Sequence, residues 1–406
     1  MNIEKLSEKK VIRDTIHGYI NIEYKVIMDI IDTKEFQRLR RIRQLGGDFQ
    51  VYPTAEHSRF THCLGVYEIV RRMIFEIKSL SNEMNEYEKI TLLLAGLLHD
   101  VGHGPFSHSF EHITNISHEE FTSRMILEDT DINKILKKVY YQLPNDVVSI
   151  INHTHKNKIL NEIVSSQLDA DRMDYLLRDS YASATSYGKF DLERILRTLR
   201  VRKDLFGKKH IVVKESGIHS VEDYIMARYQ MYWQVYFHPA ARSYETIFIQ
   251  LFKRLKDIYQ KNHEYFLDLP YIIPFLTNKK VKISDYFKLD ESVIEYYSSL
   301  IKEKDDSIAS DLASRLLDRK LFNYLDFTED NLKRVKKFLK EKNLSEKYYL
   351  RIENVEKTPY MPFTGQKILV EMKNGEIIEL QKASNIVDAI IRGNIKKEGT
   401  IFYPKI

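Results

Sequence analysis

LLLAGLLHDVGHGPFSH, residues 92–108, carries the densest chemical signal in the chain. Seven small or apolar residues of helical character run into an adjacent His99–Asp100 pair, which His103 and His108 follow. Imidazole and carboxylate together are the ligands that borderline and hard divalent metals take. Gly102, Gly104 and Pro105 end a helix just past the pair, so the two later histidines belong to a loop able to turn back toward the helix end. A lone histidine on an apolar face is ordinarily a core residue. Four ionisable groups within ten residues, punctuated by two glycines and a proline, read instead as a site.

A metal held only by His99 and Asp100 is under-coordinated, so the chain must supply more ligands from elsewhere. Upstream, His62 in SRFTHCLGV stands at the start of a predicted helix. Downstream, LDADRMDYLLRD brings Asp169, Asp171, Asp174 and Asp179. On a helix Asp171, Tyr175 and Asp179 are spaced i, i+4, i+8 and share one face, with Arg172 beside it. Carboxylate, phenol and carboxylate on a helix that also holds Met173, Leu176 and Leu177 are better explained by ligand contact than by solubility.

Apolar residues returning every three or four positions predict helices over 26–43, 62–78, 87–100, 118–127, 131–140, 159–179, 191–199 and 221–236. Short hairpins are expected at VIRDTIHGYINI and at VRKDLFGKKHIVVKE, the second turning at Gly207. Strands at 348–353, 367–372 and 376–380 and a helix at 384–392 follow, with a turn at Lys373-Asn374-Gly375. The expected fold is mainly α over 1–325, with a small α+β domain at 326–406.

At 406 residues with 43% hydrophobic and 30% charged side chains, the chain has material for one large core or two domains. No window approaches the roughly 20 apolar residues of a membrane helix, and the charged start MNIEKLSEKK lacks a secretory signal's apolar core. The single cysteine, Cys63, cannot form an internal disulfide, which fits a reducing, cytoplasmic setting. A net charge of +5, spread among 58 acidic residues, suits an anionic small molecule and does not require nucleic acid. The basic run KRVKKFLKEK, 333–342, reads as a solvated helix face, with phosphate or nucleic-acid contact as the other reading.

The ordered set His62, His99–Asp100, Asp171 resembles the H…HD…D signature of the HD-domain metal-dependent phosphohydrolases, whose fold is a helical bundle around the metal. The segments RLRRIRQLGG, YPTAEHSRFTHCLGV, AGLLHDVGHGPFSHSFE, SHEE and DADRMDYLLRD are similar to the deoxynucleoside triphosphate triphosphohydrolase branch, over about residues 10–242. The resemblance implies that His62, His99, Asp100 and Asp171 bind one divalent metal, leaving positions for water or a phosphate oxygen. Mg, Mn, Fe, Zn and Ni stay open, and additional Mg accompanies the nucleotide.

It further implies that His108 protonates the leaving 5′-oxygen, with His118 and Glu111 orienting it and His103 on the phosphate. Glu111 departs from the aspartate of the family's human member, and Arg172 from its lysine. Arg59, Arg172 and Arg228 match phosphate contacts. Gln44 and Asp179 match contacts to the 3′-hydroxyl, and Tyr175 packs under the deoxyribose, where it excludes a 2′-hydroxyl. Leu45 bounds sugar and base, and Arg228, Tyr232 and Tyr236 form a base-and-phosphate wall. Few polar residues remain to discriminate the base, so it is expected to be read loosely.

A second nucleotide site, for activating dGTP or GTP between subunits of a tetramer, is implied at Lys10, Val11, Asp32, Gln37 and Arg40. Without the resemblance those residues read as a charged, exposed helix face. The leading expectation is hydrolysis of dNTPs to deoxynucleoside and triphosphate, which controls dNTP pools. An HD-type phosphodiesterase or alarmone hydrolase and a nucleotide-sensing or nucleic-acid-binding scaffold are the alternatives.

Overall fold

The structure, a computed structural model, describes residues 3–204, 206–277, 279–356, 367–392 and 397–405, without the side chains at 108, 354–356 and 397–398. The fold is mainly α, and its centre is helix Arg59–Glu76, which buries Phe60, Cys63, Leu64, Val66, Tyr67, Ile69, Val70, Met73 and Ile74. A helix apolar on nearly every side must be enclosed by others. Helices Glu86–Leu98 and Ala170–Ala182 pack along it. Each begins at a cap: Asn85 and Glu88 form a capping box, and the Asp169 carboxylate accepts from Arg172 N at 2.7 Å. Gly65 permits the close approach of Ala170–Ala182, because a Cβ there would run into the Asp174 carboxylate and the Arg178 guanidinium.

Two predicted helices prove to be broken by local caps. The 26–43 segment divides at Thr33, whose Oγ1 accepts from Phe36 N at 3.2 Å, into helices Lys25–Ile31 and Lys34–Arg38 and the 3-10 turn Leu39–Arg41. The 159–179 segment divides into Lys158–Val164 and Ala170–Ala182, since Asp169 starts the second helix and cannot also continue the first. The helix expected from 221 begins at Ile218, and its last turn, Tyr232–Tyr236, is a π-helix. Such one-turn insertions often re-aim side chains at functional sites.

Both predicted hairpins form. Strands β1 (Lys5–Asp14) and β2 (Gly18–Tyr24) pair antiparallel. Strands β3 (Leu199–Lys203) and β4 (Lys209–Lys214) pair around Gly207, whose φ of +78° suits glycine. The later strands are β5 (Phe322–Asp326), β6 (Arg351–Glu356), β7 (Leu369–Glu371), β8 (Ile377–Glu379) and β9 (Lys397–Pro404). Strand β7 adds parallel to β4 in the sheet order β3-β4-β7-β8. The sheet β5-β9-β6 lies against helix Pro239–Tyr259 through β5. The helix expected at 384–392 is Asn385–Arg392.

The basic run belongs to helix Glu329–Glu341, which buries only Val335 and Leu339 and leaves its lysines on the solvated side. Among the described residues no helix is long and apolar enough to cross a membrane. Cys63 is buried and free.

Candidate active site

The three central helices carry the metal-ligand candidates to one point. His62 lies in the first turn of Arg59–Glu76, His99 ends Glu86–Leu98, and Asp171 lies in the first turn of Ala170–Ala182. His62 Nε2 is 3.2 Å from His99 Nε2, 3.1 Å from Asp171 Oδ1 and 3.7 Å from Asp100 Oδ2. His99 Nε2 is 3.5 Å from both Asp100 Oδ1 and Asp171 Oδ1.

The opposite ring nitrogens decide what this cluster can hold. His62 Nδ1 lies 2.8 Å from Asp174 Oδ2, and His99 Nδ1 2.9 Å from Gly96 O. Each acceptor takes a ring proton from Nδ1, so the two Nε2 atoms are the ones turned toward each other and toward the carboxylates, where each can take a proton or a metal. A cation shared with the two carboxylates resolves that juxtaposition, so the donor set fits a divalent metal. The electrostatics agree: burial opposes a proton on His62, yet Asp171 and Asp174 push its pKa up to about 10. Burial opposes one on His99 too, and Asp100 and Asp171 raise it. The cluster attracts positive charge.

Asp174 is anchored in turn. It accepts from Arg178 Nε and Nη2, both at 2.8 Å, and lies 2.7 Å from His17 Nε2. Arg178 Nη1 reaches Asp14 Oδ2 at 2.8 Å, and Asp14 Oδ1 accepts the N–H groups of Ile16 and His17 at 2.9 Å. The tip of the N-terminal hairpin thus helps to fix the orientation of His62, a metal-ligand candidate. Sequence reasoning gave Asp174 no role and passed over Asp14, His17 and Arg178. The i, i+4 spacing of Asp174 and Arg178 is the one local signal of this ion pair.

Beyond the ligands, the loop after Asp100 is pinned from all sides. Gly102 N donates to Thr122 Oγ1 at 3.0 Å, Tyr286 Oη donates to Gly102 O at 2.7 Å, and the buried Arg38 Nη1 donates to His103 O at 2.8 Å. Phe106 N donates to Glu291 Oε1 at 3.2 Å. Phe106 and Ser107 adopt φ values of 57° and 51°, which swing the chain into helix His108–Thr114. His103 Nε2 lies 3.4 Å from Asp100 Oδ1, and its ring stacks on His118 at 3.8 Å. Burial, Arg59 and His118 hold the His103 pKa well below the ordinary imidazole range. His118 Nδ1 is 2.5 Å from Glu111 Oε1, so the longer carboxylate does reach its histidine. The His108 side chain lies outside the described residues.

A cavity of about 400 Å³ opens beside this set, within the range of small-molecule sites. Asp100, Asp171, His103 and His118 line it, together with Gln44, Leu45, Arg59, Tyr175, Asp179, Tyr232 and Tyr236. Arg59 bonds Asp100 through Nη1 and Ser107 Oγ through Nη2 at 2.8 Å. Asp179 accepts from Tyr236 Oη at 2.9 Å and lies 2.8 Å from His57 Nε2. Arg172 and Arg228 are not among the lining residues. Arg172 pairs with Asp169, and Arg228 Nη1 donates to Gln167 Oε1 at 2.8 Å, while each keeps a buried Nε without a partner.

The lining also includes Asp48, Phe237, Arg242 and Glu245, which sequence reasoning missed. The cavity lining therefore holds more polar groups than the sequence reading counted. No spacing rule links Asp48 to a helix more than 190 positions later.

The residues matched to a second nucleotide site lie apart from this cavity. Lys10 and Val11 are exposed on β1, and Asp32 follows helix Lys25–Ile31. Arg40 Nε donates to Gln37 Oε1 at 2.8 Å and stacks over Phe60 at 3.6 Å.

Two family models match the chain, the HD domain over residues 59–179 and the HD associated region over 190–269. YwfO of Bacillus subtilis is 45% identical over 99% of this chain and 93% of its own length. The deoxynucleoside triphosphate triphosphohydrolase SAMHD1 homolog of Dictyostelium discoideum is 32% identical over 60% of this chain, which spans about half (49%) of that relative. A phosphohydrolase crystal structure from Bacteroides thetaiotaomicron superposes with a TM-score of 0.86 at 28% identity, over 98% of this chain and 100% of the other. A buried His/Asp cluster oriented for a cation, on that fold and within those matches, makes this chain a member of the HD-domain phosphohydrolases, in their dNTPase-like family.

Proposed function

We propose that the protein hydrolyses dNTPs to deoxynucleoside and inorganic triphosphate. The observation that carries this reading is the cavity itself: Asp100 and Asp171 of the His/Asp cluster line it together with Gln44, Tyr175 and Asp179, a set suited to one deoxyribose. His62, His99, Asp100 and Asp171 would hold a divalent cation, which would supply Lewis acidity to the α-phosphoryl group. Arg59, which lines the cavity beside Asp100, supplies positive charge to the phosphates. Water adds to the α-phosphorus, giving up a proton to bulk water, and the bond to the 5′-oxygen breaks. The departing oxygen takes a proton, which His108 donates, and Glu111 and His118 serve to orient the donor. Tyr175 leaves no room for a 2′-hydroxyl, which favours deoxynucleotides.

We further infer that guanine nucleotide activates the enzyme through Lys10, Val11, Asp32, Gln37 and Arg40 in a tetramer. The exposure of Lys10 and Val11 on a hairpin supports this.

Product analysis of each dNTP with Mg, Mn or Fe, with and without dGTP, tests the reading. Triphosphate release that Asp100→Ala abolishes is expected, together with loss of activation in Asp32→Ala. Pyrophosphate or monophosphate as product, or equal triphosphate release by wild type and Asp100→Ala, overturns it.

A further inference from the structure

One group lining the cavity has an atom that no described residue satisfies. Asp48, in the short turn Asp48–Gln50, is only 5% exposed, and its Oδ1 is buried without a hydrogen-bond partner. The chain reaches this position because Gly46 and Gly47 press against helix Pro239–Tyr259. A Cβ on Gly46 would meet Glu245 Oε1 at 2.7 Å, and one on Gly47 would meet Ala241 O at 2.5 Å.

The charges around Asp48 are mostly of its own sign. Burial, then Glu245 and Asp179, push its pKa well above the carboxylate range, against Arg242. Arg242 is already committed, to Glu245 at 2.6 Å and to both carboxylate oxygens of Glu353. Asp48 shares the lining of this cavity with the rings of Tyr232, Tyr236 and Phe237.

A protonated carboxyl offers one O–H donor and one carbonyl acceptor on a single edge. A sugar hydroxyl needs only one of these. The Watson–Crick edge of each of the four bases sets a donor beside an acceptor, and aromatic rings supply stacking faces that accept any base. We propose that Asp48 reads the nucleobase, its carboxyl pairing with the Watson–Crick edge. Because the proton can sit on either oxygen, the same carboxyl matches all four bases. Broad base acceptance then comes from an adaptable partner and not from a lack of polar groups. This inference rests on the cavity being a dNTP site.

The test is calorimetric binding to the Mn-loaded protein of dNTP analogues whose 5′-oxygen is replaced by methylene, beside the same analogue lacking a base. Asp48→Leu is expected to weaken all four base-bearing analogues by about tenfold and to leave the abasic one unchanged. Asp48→Asn, which keeps a donor and an acceptor on that edge, recovers most of the loss and controls for folding. Equal weakening of the abasic analogue, loss for a single base, no recovery in Asp48→Asn, or no binding of any analogue overturns the proposal. If binding behaves as expected while wild type releases no triphosphate from dNTPs, the hydrolytic reading falls and Asp48 stands. If triphosphate is released and Asp48→Leu binds like wild type, the reverse holds.

Discussion

The two parts of the active cavity are built on opposite principles. In the metal cluster His62 and His99 each orient one nitrogen through Asp174 or Gly96 O, and Asp174 is itself held by Arg178 and His17. Elsewhere in the cavity Gln44 Oε1 and Asp48 Oδ1 are buried without partners, as is Nδ1 of His57, which contacts Asp179. A buried polar atom left unpaired costs about 1–3 kcal/mol, so it persists where a ligand completes it. The cluster is oriented by its own neighbours, and on the proposed reading a nucleotide completes the other walls.

That contrast makes quantitative expectations. Asp171→Ala removes a ligand outright and is the severest break: triphosphate release falls by more than about a hundredfold, and metal content measured by mass spectrometry falls with it. Asp174→Asn leaves every ligand in place but loosens His62. It weakens metal binding by about 10- to 100-fold in chelator competition while KM at saturating metal holds. Tyr175→Ala spares the metal and lowers the dNTP-to-rNTP turnover ratio by about tenfold. Gln44→Ala is mildest, raising KM about two- to tenfold with metal content unchanged. Loss of metal in Gln44→Ala, or an unchanged chelator curve in Asp174→Asn, would erase the distinction between the two parts.

The same contrast explains what could be read from the sequence. His99, Asp100 and Asp171 were legible because each sits at a helix end, where periodicity stops and ionisable residues cluster. Tyr175 and Asp179 were legible through helical spacing. The broken helix at 159–179 was readable in principle, since Asp169 has the character of a cap. His17 was not, because it meets Asp174 across 157 positions and its neighbours look like any hairpin. Asp48 follows two glycines and resembles a turn residue, and only the packing of helix Pro239–Tyr259 reveals its surroundings.

The pinning of the 101–107 loop sets a limit on how the enzyme is made. Arg38 donates to His103 O and, through Nε and Nη2, to Leu289 O, a partner 251 positions along the chain, and Phe106 N waits on Glu291, 185 positions ahead. Contacts of such separation form late, after their loops have closed. During synthesis the chain through residue 179 can emerge with every metal ligand present and still lack the clamps that seat His103. Residues 59–179 alone therefore make a ligand set without a finished active site, and a nascent chain becomes competent only when the segment around Tyr286 to Glu291 arrives.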